Sequence, residues 1–308
     1  MAHAVGFYNE FGGYTIGQVW KDHAKPDPSV TSKAGFPIGT VVCKLLFVDM
    51  PPAFITEQVP YLVNPIEWQA YTANGFNPSA VDPKHPGTPV PEKSRSVKEI
   101  TLIQMDIMIR DDRAPTGWIF GTFQYNGELA NTNPWNNLIP VGLMWGNDPD
   151  YAENNQKIPV TDADNRFPKI VPVEHTPINT GLKETIINPD PKELPATHLG
   201  WNGRLNGPVD NPLSSCMSCH MTASYPGKDL SPLFVAASQR PQTVGTPEWD
   251  TWWMQWFQNI GWKNGKLDKF QDAEYSLDFS LQLSAALQNF HSSGNVHPSE
   301  TPENPVQR

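Results

Sequence analysis

Cys216-Met217-Ser218-Cys219-His220 is a CxxCH pentapeptide. In that spacing both thiols can add to the two vinyl groups of one haem. The adjacent imidazole can then sit beneath the iron, so the motif reads as a c-type haem attachment site. The competing readings are a structural disulfide, a thioredoxin-like redox pair and half of a zinc site. A structural zinc needs two more ligands at sensible spacing. Cys43 is the only other thiol, and the chain has no second CxxC and no HxxxH. A thioredoxin-type CxxC follows a strand and opens a helix of a βαβ unit. Here the preceding Asn206-Gly207-Pro208-Val209-Asp210-Asn211-Pro212 has the composition of a loop. Covalent haem is therefore the leading expectation.

The chain has 308 residues, enough for one large or two modest domains without disulfide staples. Its formal net charge of −10 argues against nucleic acid as a partner. Its 32 Pro and 11 Trp together describe a loop-rich but folded protein, because a disordered chain would carry fewer aromatics. No apolar run reaches the length of a membrane span, so no transmembrane segment is expected. Met1-Ala2-His3-Ala4-Val5-Gly6 lacks the charged and apolar regions of a leader. Haem is attached to CxxCH outside the cytoplasm. A periplasmic or otherwise exported protein is expected, its signal peptide removed. Cys43 alternates with Val41, Leu45 and Phe47 and reads as a buried apolar thiol.

Periodicity predicts an α+β fold: a mostly antiparallel β core with long Pro-rich loops, followed by a C-terminal helical haem-binding region. Residues 1–194 form the β-rich domain, 195–293 the haem c-binding region with two helices, and 294–308 a polar tail. Thr40–Asp49 is a short strand. Glu99–Arg110 alternates at Ile103, Met105, Ile107 and Ile109, the period of a strand. It returns through Asp111–Gly117 into the aromatic strand Trp118–Tyr125. Leu138–Trp145 is a further strand, placed at an edge or bulge by Pro140. Residues 74–96 read as irregular loop. Short β pieces are expected near Ile170-Val171 and Thr185-Ile187. Thr246-Pro247-Glu248 starts a helix whose Trp249, Trp252, Trp253, Trp256, Phe257 and Ile260 make one apolar stripe, ended by Gly261. A second helix is expected over Tyr275–Phe290.

His220 is the proximal ligand by position. The sixth position decides between electron transfer and chemistry at the iron. Met254 is the only methionine downstream of Met221, and it lies about 120° from the centre of the Trp stripe. It, His198 and His291 are the candidate distal ligands, beside an open distal face. Met105 reads as core, and Met144 is a remote candidate. Gly200-Trp201-Asn202-Gly203-Arg204 lies just upstream of the motif. Arg204 could pair with a haem propionate and Trp201 could donate an N–H, the alternative being a solvated surface loop. Asp148-Pro149-Asp150 and Asp162-Ala163-Asp164-Asn165 lack the glycine and glutamate of an EF-hand loop and read as turn acids.

Ser215-Cys216-Met217-Ser218-Cys219-His220 resembles the haem-attachment segment of monohaem c-type cytochromes. The resemblance is confined to that segment, since those cytochromes are about a third of this length and carry the motif near the N-terminus. It implies thioether bonds at Cys216 and Cys219, axial ligation by His220, one covalent haem c and one-electron exchange with a redox partner protein. Whether the chain is an enzyme stays open. A haem c enzyme or small-ligand sensor with an open distal site is the second expectation, and a subunit of a larger redox complex the third.

Overall fold

A computed structural model describes residues 2–50, 59–81, 89–91, 93–149, 171–172, 182–190, 192–194, 196–197, 199–211, 214–226, 246–263 and 266–292. The fold is α+β. The strands, in chain order, are β1 (Ala2–Tyr8), β2 (Val41–Val48), β3 (Glu67–Ala73), β4 (Phe76–Val81), β5 (Pro89–Pro91), β6 (Arg95–Arg110), β7 (Trp118–Tyr125), β8 (Leu138–Met144), β9 (Val171–Pro172), β10 (Thr185–Ile187), β11 (Ala196–Thr197), β12 (Ser224–Tyr225), β13 (Trp262–Lys263), β14 (Lys266–Leu267) and β15 (Tyr275–Ser276). Seven of them form one sheet in the order β1-β2-β6-β7-β8-β10, with β3 also paired to β6. Every pairing is antiparallel.

The 16-residue β6 is long enough to pair β3 through Arg95–Thr101 and β2 through Thr101–Ile109. It turns into β7 around Gly117, whose φ of +82° and contact with the Arg110 guanidinium leave no place for a side chain. Arg110 Nη1 donates to the Gly117 carbonyl at 2.6 Å. Pro140, which has no N–H to give a ladder, sits opposite Phe123 at a register shift in the β7–β8 pairing.

The two faces of the sheet belong to different cores. One core gathers Leu45, Phe47, Ile103 and Tyr125 with Val59, Tyr61, Leu62 and Ile66. On the other face Val42, Met108, Trp118, Phe120 and Met144 pack against Trp201, Leu205, Met217, Trp256, Phe257 and Phe279. The main core thus draws residues from both sides of position 194.

Several elements differ from expectation. Two helices, Glu10–Val19 and Ser29–Ala34, lie in the N-terminal part, which reads as strand and loop. Asn9 caps the first by accepting from Gly12 N, and the glycines at 12, 13 and 17 mask the helical pattern. Part of 74–96 is strand, namely β4, β5 and the first two residues of β6. The Trp-rich helix spans only Pro247–Met254. Beyond it the chain turns so that the Gln258 carbonyl and the Asn259 side chain meet Asn147, and Trp256, Phe257 and Ile260 are buried without being helical. The side chains of Trp249 and Trp253 lie outside the described residues. The last helix starts at Leu281, not Tyr275. Tyr275 and Ser276 pair with β12, and Asp278 and Phe279 have positive φ. Among the described residues no helix is long and apolar enough to cross a membrane.

Candidate functional site

Cys216–His220 forms one helical turn, started by a reciprocal cap. Ser218 N donates to Ser215 Oγ at 3.1 Å, and Ser215 N donates to Ser218 Oγ at 2.7 Å. Such a cap matters here because an isolated helix this short has no stability of its own. Met217, Ser218 and Met221 are buried, whereas Cys216, Cys219 and His220 are each partly accessible. Positions i, i+3 and i+4 share one face of a helix. The turn thus inserts Met217 and Ser218 fully into the core and keeps the three motif side chains together on its half-buried side.

Gly200–Gly207 is the seat of this turn. Cys216 N donates to the Leu205 carbonyl at 3.1 Å, and Trp201 N to the Ser214 carbonyl at 2.9 Å. A Cβ on Gly200 would stand 1.9 Å from the Ser214 carbonyl oxygen. Arg204 is fully buried. Its Nε donates to the Asn147 carbonyl at 2.8 Å, Nη1 to the Trp201 carbonyl at 3.2 Å and Nη2 to the Asp148 carbonyl at 3.0 Å. Its Cζ lies 4.7 Å from the centre of the Phe257 ring. The solvated-loop alternative does not hold for this side chain. The guanidinium ties β8's exit, the Trp201 turn and the Phe257 segment together. Trp201 is buried, its ring 5.4 Å from that of Phe257. Asp148 accepts from Lys183 N and Glu184 N, both at 2.9 Å, and acts as a turn acid. Asp150 and residues 162–165 lie outside the described residues.

His220 Nδ1 is 2.8 Å from the Phe279 carbonyl oxygen. A carbonyl only accepts, so Nδ1 carries the proton and Nε2 keeps its lone pair. Burial, and then the nearby Lys44 ammonium, lower the imidazole pKa to about 4, with the Phe279 carbonyl working the other way. The ring is held neutral at ordinary pH, and its centre lies 5.0 Å from that of Phe120.

Beside Cys216 lies a buried polar network that the sequence reading does not single out. Lys44 Nζ is 2.8 Å from Asp106 Oδ2. Gln104 Nε2 donates to both Asp106 oxygens and to Asp210 Oδ2. Thr122 Oγ1 donates to Asp106 Oδ1 at 3.1 Å and is 3.5 Å from Cys216 Sγ. The register explains the cluster: Lys44, Asp106 and Thr122 are directly paired on β2, β6 and β7. They occupy the face opposite Ile103 and Met105. Periodicity finds the apolar alternation of β6, but the motif segment buries its polar side. The available signal was Lys44 within VVCKLLFV and Gln104 and Asp106 within LIQMDIMI, lone polar residues inside otherwise apolar strands. Burial opposes the charge on Lys44, but Asp106 and Asp210 outweigh it and hold its pKa above the usual lysine value. Burial raises Asp106, with Lys44 opposing. Burial and then Asp106 and Asp210 push the Cys216 thiol well up.

No disulfide joins Cys43, Cys216 and Cys219. A thioredoxin-like pair needs a thiol of lowered pKa, and the environment of Cys216 does the reverse. Among the described residues no group of three or more His, Cys, Asp or Glu is placed to hold a metal ion by itself, so the zinc reading gains no further ligands there. A covalent haem fits the residues on two counts. Both thiols and the imidazole share one half-buried face of the turn, and the second imidazole nitrogen is fixed on a carbonyl, as metal-ligating histidines require. Cys43 is half-buried against the second core. Of the distal candidates, His198 lies outside the described residues. Met254 is half-buried at the edge of the main core. His291 is exposed on the last helix, its ring 5.3 Å from that of Tyr225. Met144 is fully buried in the main core, and Met105 is partly buried in the second. No protein-family model, curated protein or solved structure matches the chain.

Proposed function

We propose that the chain is an exported protein with one covalent haem c that carries single electrons to a redox partner. The observation that supports this most is the shared half-buried face of Cys216, Cys219 and His220 on a turn whose other residues are buried. When bound, the haem supplies one-electron chemistry at its iron, tuned by axial ligand, burial and hydrogen bonding. Cys216 and Cys219 tether it, and His220 offers Nε2 from a ring whose orientation Phe279 fixes. Phe120 and Phe279, both buried, pack against this imidazole and would keep water from it. A rigid, dry surrounding of this kind limits rearrangement when charge changes.

A second reading is a haem protein with an open distal site that acts on a small ligand. Lys44, Gln104, Asp106 and Asp210 favour it, because they hold proton donors and acceptors next to Cys216. The ferric and ferrous absorption spectra separate the two. The electron carrier is low-spin in both states and unchanged by cyanide, nitric oxide or carbon monoxide. A high-spin ferric spectrum that shifts on adding those ligands rejects the carrier and supports the second reading.

A further inference from the structure

Asp278 is fully buried. Its Oδ1 accepts from Trp118 Nε1 at 2.9 Å and its Oδ2 from Phe36 N at 2.7 Å, and Arg110 Nε is 4.0 Å from Oδ2. Its backbone φ is +47° and that of Phe279 is +67°. Ser280 N donates to the Leu277 carbonyl at 3.0 Å, closing a four-residue turn with positive φ at both central residues. Such turns favour glycine, asparagine and aspartate. Phenylalanine is an unfavourable choice, and such residues persist only where their surroundings over-determine them. Here they do so from three sides. The carboxylate is gripped by β7 and by the chain before β2. The Phe279 ring is buried 6.2 Å from Phe120 and 6.5 Å from Trp118. Leu277 N donates to the Ala223 carbonyl, just past the motif turn, at 2.9 Å. The product of this constrained turn is one backbone acceptor, the Phe279 carbonyl, placed 2.8 Å from His220 Nδ1.

We propose that Asp278 is a positioning residue: by clamping the strained Asp278-Phe279 turn onto Trp118, Phe36 and Arg110, it aims the Phe279 carbonyl at His220 and so sets the imidazole's tautomer and its donor strength toward a metal. This rests on the haem reading for its consequence at the iron, and on geometry alone for its consequence at the imidazole. A carbonyl held on Nδ1–H makes the imidazole a stronger donor and favours the ferric state. Loosening the clamp weakens that bond and raises the reduction potential.

The test uses the haem-loaded protein in four forms: wild type, Asp278→Asn, Trp118→Phe and Asp148→Asn. Asparagine offers one acceptor where the clamp needs two, and phenylalanine removes the indole N–H while keeping an aromatic ring. Asp148 is a matched control, being a buried acid with φ of +49° that accepts from backbone N–H groups but does not touch the motif turn. Asp278→Asn and Trp118→Phe should each raise the midpoint potential, moving the ferric–ferrous equilibrium by about tenfold, ~59 mV for one electron. Asp148→Asn should leave it unchanged, even if it lowers the melting temperature as much. Equal potentials in the two clamp variants and the control overturn the proposal. If the purified chain carries no haem, a pyridine haemochrome assay shows that separately. The clamp is then read from the nitrogen spectrum of His220 in the haem-free chain. A single Nδ1–H tautomer in wild type and a mixture in Asp278→Asn support it, and an unchanged tautomer in the variant overturns it.

Discussion

His220 is neutral in the folded chain because its surroundings penalise the cation. The consequence for stability has a definite sign. The folded-state pKa, about 4, lies below the reference value of 6.5 for the unfolded chain. Between those values the unfolded state binds the extra proton. Stability is therefore fully present above pH 6.5 and is lost as pH falls toward 4, by up to about 3 kcal/mol. In the haem-free chain, denaturant titrations across that window should show this loss, and His220→Asn should flatten it. In the haem-loaded chain, with Nε2 bound, the slope should also be absent. Lys44 and Asp106 make a second residue-level test. Lys44→Met leaves a buried carboxylate beside Gln104 and Thr122 without its cation, a loss of about 3–5 kcal/mol. The double variant Lys44→Met/Asp106→Leu should recover most of it, as read by urea midpoints. If the double variant is worse than the single, the pair is not a coupled unit.

The motif turn is too short to hold itself, so its cap and its seat should dominate its placement. Ser215→Ala removes the acceptor for Ser218 N and should cost about 1 kcal/mol, or roughly 2–4 °C in melting temperature. Gly200→Ala forces a methyl against the Ser214 carbonyl and should cost more, about 1–3 kcal/mol. Calorimetry ranks the two, and the opposite order would mean that the seat yields easily. Elements whose pattern is local were legible in the sequence. β7 spans Trp118–Tyr125 as its richness in aromatic residues predicts, and β2 and β8 lie within a residue or two of expectation. Elements set by distant partners were not. Tyr275–Phe290 has a helical stripe, yet Asp278 answers to Trp118 and Phe36 rather than to its neighbours, and the helix cannot start before Leu281. The Trp-rich helix stops early for the same kind of reason, because Asn147 takes the Gln258 carbonyl and the Asn259 side chain.

At the scale of the molecule, the polar face of β6 is what the sequence concealed. Alternation marks Ile103, Met105, Ile107 and Ile109 as the apolar side; Ile103 is buried with Met105 packed against the same core, but Ile109 is exposed. What alternation cannot say is that Gln104, Asp106 and Arg110, on the other side, are buried as well. That burial follows from the motif region docking on the sheet, a tertiary event driven by Met217, Leu205, Phe257 and Phe279. Arg204 joins the same two regions through three carbonyls and the Phe257 ring. Strands and motif region should therefore unfold together. Tryptophan fluorescence and haem absorbance should report one urea midpoint, and separate midpoints would show two independent units. The Cys216–His220 motif was readable from five residues, whereas its helical turn and its supports, from Lys44 to Phe279, needed the fold to bring them near. The most direct measurement of the whole account is the mass and haemochrome spectrum of the exported, purified chain under denaturing conditions. One haem retained on the unfolded polypeptide with a two-thioether spectrum, and lost in Cys216→Ala/Cys219→Ala, is the expected result. A denatured chain with the mass of the polypeptide alone and no haemochrome contradicts it.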